Sequence, residues 1–332
     1  MTIKNILKLF IGFVVSFIFL YLTFAKVNFS NIDMQLKEVN PKFLLYALML
    51  CLLTLYLRSL RWGYILRATF VFNQKFLLPI SSVGIAAITI LPLRLGEVVR
   101  PLLISKSSKI KFSSALASIV FERVLDTFMI ITVLSIVITF SSAPEWIYMA
   151  GIGLLFSISI ILLVIIFVYF NKDKTEVIFL KLSYIFPDKF LNSIHGIFNS
   201  FFNGLSVLSK PLDIIIAVLI SIFIWLNYGL IVYLMFYFHS FDLPIIAAFS
   251  VVAFTFLATS LPAAPGFLGT FQYGCFLALT GYGVSTDAAA LFSLTYYLVM
   301  IGMNILLGLI FLPLVNLDKD FLDSKKKDTS NI

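Results

Sequence analysis

The chain has 332 residues, of which 61% are apolar and only 12% charged, with a formal net charge of +8 and a mean hydropathy of +1.06. That composition lies outside the range of soluble domains and identifies a polytopic membrane protein. The basic residues cluster in particular loops, the orientation signal of membrane insertion, so the positive charge does not indicate a nucleic-acid partner. Two cysteines inside apolar runs and two histidines exclude a disulfide framework, a thiolate metal site and imidazole-rich chemistry, and no cofactor is expected.

About 20 apolar residues cross a hydrocarbon core of roughly 30 Å. On that ruler 6–25 is a first span rather than a signal peptide, because no small-residue cleavage site precedes Lys26. A second span is predicted over 42–60, with Arg58, Arg61 and Arg67 at its interfacial end. The next apolar stretch, 76–92, is too short for a simple span and runs into the charged, broken segment LPLRLGEVVRP. Spans over 114–140 and 146–170 follow, and then a lysine-rich loop. In that loop Phe190, Leu191, Ile194, Ile197, Phe198, Phe201, Leu205 and Leu208 recur at helical spacing, as in a helix lying in the interface. A span over 212–238 precedes a second short stretch, 245–261, which ends in LPAAPGFLGTFQ; the last span is 288–315.

The distribution of lysine and arginine then sets the topology. If 76–92 crossed the membrane, Arg94, Arg100, Lys106, Lys109 and Lys111 would lie outside, so this stretch is expected to dip in from the cytoplasm and return. The loops around 245–282 carry no basic residue, so the second short stretch is expected to dip in from outside. The expected fold is all-α: six full spans plus two re-entrant helical hairpins, arranged as an inverted repeat with both termini cytoplasmic. It forms a single integral membrane domain over 1–315, with repeat 1 about 1–141, repeat 2 about 146–315, and a cytoplasmic tail, 316–332. Leu91, Pro92 and Gly96 recur as Leu261, Pro262 and Gly266 at an offset of 170, and SSALAS from Ser113 resembles TDAAAL from Thr286 at an offset of 173.

Charges inside the membrane carry the functional signal. Glu122 lies eleven residues beyond Lys111, roughly half way into the bilayer at ~1.5 Å per residue. With ~100° of turn per residue, Glu122, Arg123 and Asp126 fall within one arc and are able to face one cavity. A charge at the centre of a membrane helix costs ~2.5 to 3.5 kcal/mol, so these groups must pair or meet water. Arg123 and Asp126 are spaced to pair on their own helix, and Glu122 is expected to take Arg94 or Arg100 of the neighbouring hairpin. Two readings stay open: a structural network that holds the hairpin, or a polar cavity in which arginine forks bind a phosphate headgroup. In the second half, Pro262, Pro265, Gly266 and Gly269 break the helix and free backbone amides that suit a phosphate, with Gln272 as the polar candidate.

The motifs LPLRLGEVVRP, FERVLD about twenty residues later and LPAAPGFLGTFQ much later, together with the pair Arg61–Trp62, resemble the lysylphosphatidylglycerol synthase transmembrane-region family of flippase-like membrane proteins. The resemblance covers nearly the whole chain. It implies a multi-pass protein of a prokaryotic cytoplasmic membrane, of the lipid-translocating type found in the flippase half of the multiple peptide resistance factor. By motif it assigns substrate contact to Arg94, Gly96, Glu97, Arg100, Glu122, Arg123 and Asp126, with Arg61, Pro265, Gly266, Gly269 and Gln272 added from the residue reading. The chain departs from the family at Gln272, where glutamate is frequent, and at Tyr296 or Tyr297, where an arginine occurs, so its second half is electrically quieter. The aminoacyl-transferring domain of the two-part synthases is not expected here, since only 316–332 follow the last span. The expected function is transport of an anionic or aminoacylated phospholipid or similar lipid-linked amphiphile, with no catalytic residue and no metal. The partners are the bilayer and its lipid, with a homo-oligomer or a separate synthase as further candidates. The alternative is a membrane-embedded enzyme or synthase-associated subunit acting on lipid-linked substrates, with Glu122 and Asp126 as its acid-base pair.

Overall fold

Local sequence signals set where the helices start and stop in the computed structural model. It describes residues 3–25, 27–28, 40–67, 70–108, 110–140, 210–261 and 263–315, with isolated positions between 149 and 160. Among these residues every regular element is helical. The elements are α1 Ile3–Phe24, α2 Pro41–Leu66, α3 Gln74–Ile90, a 3-10 turn Pro92–Val98, α4 Val99–Ser107 and α5 Phe112–Phe140. Then come α6 Pro211–Phe238, α7 Ile245–Ser260, a 3-10 turn Pro265–Phe267, α8 Thr270–Gly281 and α9 Thr286–Tyr297. A π-helical turn, Leu298–Gly302, joins α9 to α10, Met303–Phe311. The predicted span 146–170, the interfacial helix of the lysine-rich loop and the tail 316–332 lie outside the described residues, apart from those isolated positions.

Asn40 caps α2 by accepting from the Lys42 amide, and Pro41 occupies the first turn, where its missing N–H leaves no bond unmade. Asn73 caps α3 in the same way through the Lys75 amide. Both short apolar helices stop at a leucine in extended conformation, Leu91 (φ −82°, ψ 136°) and Leu261 (φ −70°, ψ 151°). Each precedes a proline, whose ring disfavours helical backbone at the residue before it.

Among the described residues, four helical stretches are long and apolar enough to cross a membrane: Pro41–Leu66, Phe112–Phe140, Pro211–Phe238 and Thr286–Leu314. Along α6, Leu212, Ile215, Leu219, Phe223, Leu226 and Leu230 form an exposed stripe at three- and four-residue spacing, a surface suited to lipid rather than water. Among the described residues the most extensive helix packing joins α2 to α6. Two helical hairpins flank it: α4 packs back on α3, and α8 packs back on α7. The hairpins then cross over, because α3 packs on α10 of the far half and α7 packs on α5 of the near half. Gly308 of α10 lies against Ala86 and Ser82 of α3, the small-residue contact that lets membrane helices approach closely.

The repeat is visible in helix limits as well as residues. Pro41 and Pro211 open α2 and α6 at the offset of 170, and Ile90 and Ser260 close α3 and α7 at the same offset. The two 29-residue spans begin at Phe112 and Thr286, which fixes an offset of 174 there, one more than the residue likeness alone indicates.

The sequence reading ends the second span at residue 60 and leaves Arg58 and Arg61 at an interface. The helix instead runs to Leu66, so both arginines belong to its interior, and Arg61 is only 1% exposed. Hydropathy alone sees these charges as the end of a span, because it takes no account of the carboxylates that neutralise Arg61.

Candidate functional site

Glu122 and Asp126 are one helical turn apart on α5, so both carboxylates point to the same side. Arg61 of α2 reaches them: its Nη1 donates to Asp126 Oδ1 at 2.7 Å and to Ser221 Oγ of α6 at 3.1 Å, and its Nε lies 3.5 Å from Glu122 Oε1. Arg100 of α4 donates from Nη1 to Glu122 Oε2 at 2.6 Å. Arg123 Nη2 lies 3.5 Å from Asp126 Oδ2 on its own helix. One network thus ties α2, α4, α5 and α6 together. Removing one partner of such a buried pair leaves an uncompensated charge, at a cost of about 3 to 5 kcal/mol.

Packing fixes the arginines in place. The Arg100 guanidinium carbon lies 4.2 Å above the ring of Trp62, and Trp62 Nε1 donates to Ser118 Oγ at 2.9 Å. The Arg100 stem crosses α3 at Gly84, where a Cβ would collide with it. Gly96 serves a related purpose, since a Cβ there would overlap the backbone of Ala87 and Ile88, so the 3-10 turn lies directly on α3.

Beside the network is a cavity of about 170 Å³. Arg58, Arg61, Glu97, Arg123 and Asp126 form its charged wall, and Trp225, Tyr228, Phe256, Phe267, Phe271 and Tyr296 form an aromatic wall. The lining residues pair across the repeat: Arg58 with Tyr228, Ile85 with Thr255, Thr89 with Thr259 and Glu97 with Phe267 at the offset of 170, and Asp126 with Met300 at 174. The cavity therefore sits at the junction of the two halves. One half supplies its charge and the other supplies its rings.

Not every predicted site residue meets this cavity. Arg61, Glu97, Arg123 and Asp126 line it, whereas Arg100 and Glu122 stand behind it as the tie between α4 and α5. Glu122, Arg123 and Asp126 consequently do not all face one space. Arg94 lies on the first 3-10 turn, with its side chain outside the described residues. In the second half two of the freed amides are already taken: Gln272 Oε1 accepts from the Gly269 amide at 2.7 Å, and Ser16 Oγ accepts from the Ala264 amide at 2.8 Å. Gln272 is thus a cap, buried at the start of α8 and away from the cavity lining. Gly266 (φ 76°) and Gly269 (φ 87°) make the left-handed turns that follow Pro265, with Gly269 pressed on the Ser16 backbone. The sequence reading passed over Tyr228, Trp225 and Asn304. The repeat offset applied to Arg58 would have found Tyr228, and a lone asparagine in the last apolar span was a second signal. Among the described residues no three His, Cys, Asp or Glu side chains gather as metal ligands.

These features define a class: a multi-pass α-helical membrane protein with a buried arginine–carboxylate centre beside a cavity between two repeats. The chain belongs to the lysylphosphatidylglycerol synthase TM region family, whose sequence profile matches residues 9–308. Similar curated proteins include a UPF0104 membrane protein of Methanocaldococcus jannaschii, 28% identical over 97% of this chain and 98% of the relative. Another is a UPF0104 membrane protein of Methanothermobacter thermautotrophicus, 25% identical over 86% of this chain and 88% of the relative.

Proposed function

We propose that the protein is a flippase-type transporter that carries the headgroup of a phospholipid, or a similar lipid-linked amphiphile, across a prokaryotic cytoplasmic membrane without a catalytic step. The observation that carries this reading is the cavity itself. Its charged wall suits a phosphate headgroup and its aromatic wall suits the apolar remainder, and the two walls come from equivalent positions of two repeats. In this reading α3–α4 and α7–α8 are re-entrant hairpins of an inverted repeat with cytoplasmic termini. Two facts support it: α3 and α7 have 17 and 16 residues, about 25 Å at ~1.5 Å per residue and short of a ~30 Å core, and 239–287 carry no lysine or arginine.

An enzyme acting on lipid-linked substrates would use a carboxylate free to exchange a proton or bind a cation. Asp126 is engaged by two guanidiniums and Glu122 by two, which suits counter-ions better than acid-base groups. The test is translocation of a fluorescent phospholipid in vesicles reconstituted with the purified protein. Wild type is expected to equilibrate the probe between leaflets, and Arg123→Gln and Glu97→Gln to slow this about tenfold or more, the effect of losing one charge-assisted hydrogen bond. Unchanged rates in both variants, or no movement by wild type, would sink the proposal.

A further inference from the structure

The polar groups around the cavity are unevenly committed. The acceptors that carry charge already have partners: Asp126 Oδ1 holds Arg61, Asp126 Oδ2 faces Arg123, and Glu97 lies within electrostatic reach of Arg123. The donors do not. Arg58 lines the cavity half-buried and forms no ion pair among the described residues. The indole Nε1 of Trp225, a cavity-lining side chain only 3% exposed, has no hydrogen-bond partner among them either, and nor does the buried Nε of Arg123. Asn304 lines the same space with its amide unbonded among the described residues. Thr89, Thr255 and Thr259 donate to carbonyls of their own helices and so present neutral oxygens to the cavity, which suit ligand hydroxyls and do not neutralise a cation.

Formal charge agrees with this count. Arg58, Arg61, Arg100 and Arg123 face Glu97, Glu122 and Asp126, four cations against three anions among the described side chains. An excess cation at a half-buried position favours a ligand anion, and buried unbonded donors call for ligand acceptors. An ammonium group brings the reverse of both. Resting on the transport reading above, we propose that the cavity selects lipids whose headgroup is a phosphodiester of net charge −1 with an uncharged polyol, and discriminates against their cationic aminoacyl esters. Arg58 and Trp225 Nε1 are the donors that meet the phosphate, and the threonine oxygens meet the polyol.

Arg58 makes a usable test because it forms no ion pair among the described residues, and Asp126, the carboxylate within its electrostatic reach, keeps Arg61 and Arg123 when it is changed. The purified full chain in uncharged detergent is titrated with short-chain phosphatidylglycerol, its lysyl ester, and glycerol 3-phosphate, with binding read from tryptophan fluorescence. Phosphatidylglycerol is expected to bind about tenfold tighter than the lysyl ester, on the scale of one charge-assisted hydrogen bond. Arg58→Gln is expected to remove that preference and Arg58→Lys to restore part of it, with thermal unfolding unchanged. Trp225→Phe is expected to weaken phosphatidylglycerol binding by a smaller factor, with binding then read calorimetrically. A lysyl ester that binds as tightly as phosphatidylglycerol, or a preference that survives Arg58→Gln, overturns the proposal. Glycerol 3-phosphate binding as tightly as the lipid overturns its lipid half and assigns the cavity to soluble phosphate esters. Because this experiment reads binding, a preference without vesicle translocation defeats only the transport reading, and translocation without a preference defeats only this one.

Discussion

The second residue of α4 and the eleventh residue of α5 are Arg100 and Glu122, joined by a 2.6 Å buried ion pair. The second residue of α8 and the eleventh of α9 are Phe271 and Tyr296, whose ring centroids lie 5.2 Å apart. Counted from the helix starts, the corresponding joint between hairpin and span is therefore closed by charge in one half and by two tilted rings in the other. All four side chains are buried, from 1% to 4% exposed. Buried ion pairs are often replaceable by well-packed apolar groups without loss of stability, and the second half does this at the equivalent place. The architecture does not require charge at this joint. What the ion pair adds is a cationic, polar lining on one side of the shared cavity, because Glu122 also engages Arg61, which lines it.

The largest expected effect comes from breaking the charged joint. Glu122→Gln removes the counter-charge of Arg100 and part of that of Arg61 and is expected to destabilise by about 3 to 5 kcal/mol, read as a fall in the thermal midpoint in detergent. Tyr296→Phe in the other half is expected to cost under about 1 kcal/mol, since no hydrogen bond ties its hydroxyl among the described residues. Grafting the second half's solution onto the first, as Arg100→Phe with Glu122→Tyr, is expected to recover at least half of the Glu122→Gln loss, because the charges leave together. No recovery would show that the two joints are not equivalent. At an intermediate scale, Gly96→Ala is expected to cost about 1 to 3 kcal/mol by overlap with the α3 backbone. Its counterpart Gly266→Ala is expected to cost about 1 to 2 kcal/mol, chiefly from the left-handed backbone, since the Tyr297 hydroxyl that an added Cβ would meet is the end of a flexible side chain. Gly266→Asn should recover part of that loss, whereas Gly96→Asn should not. The smallest effect belongs to Arg67, whose side chain is 40% exposed and 3.5 Å from Asp213. Arg67→Ala is expected to change stability by less than about 1 kcal/mol and to lose even that at high salt.

Much of this comparison is legible in the residues. Apolar run lengths anticipate the four long apolar helices among the described residues, the leucine–proline pairs at 91 and 261 give the hairpin bends and the offset, and of the two hairpin arginines expected to meet Glu122, Arg94 and Arg100, it is Arg100 that pairs. The failures have physical causes. Span two reads as ending early because pairing with Glu122 and Asp126 hides Arg61 from hydropathy. Angular spacing puts Glu122, Arg123 and Asp126 in one arc, but which part of the arc meets a cavity depends on how neighbouring helices rotate α5. The free amides expected near Gly269 are bonded because Ser16 of the distant α1 and the nearby Gln272 side chain reach them.

The π-helical turn Leu298–Gly302 has a separate consequence. A π turn holds one residue more than the α-helix around it, and it takes up that residue without rotating the segments on either side. Shortening the chain by one residue inside this turn would restore a regular helix and keep Tyr296 and Asn304 in register with the cavity. The same deletion in α9 or α10 would swing everything beyond it by about 100°. The last span thus carries a built-in point of tolerance to changes in length, beside the cavity where its register matters most.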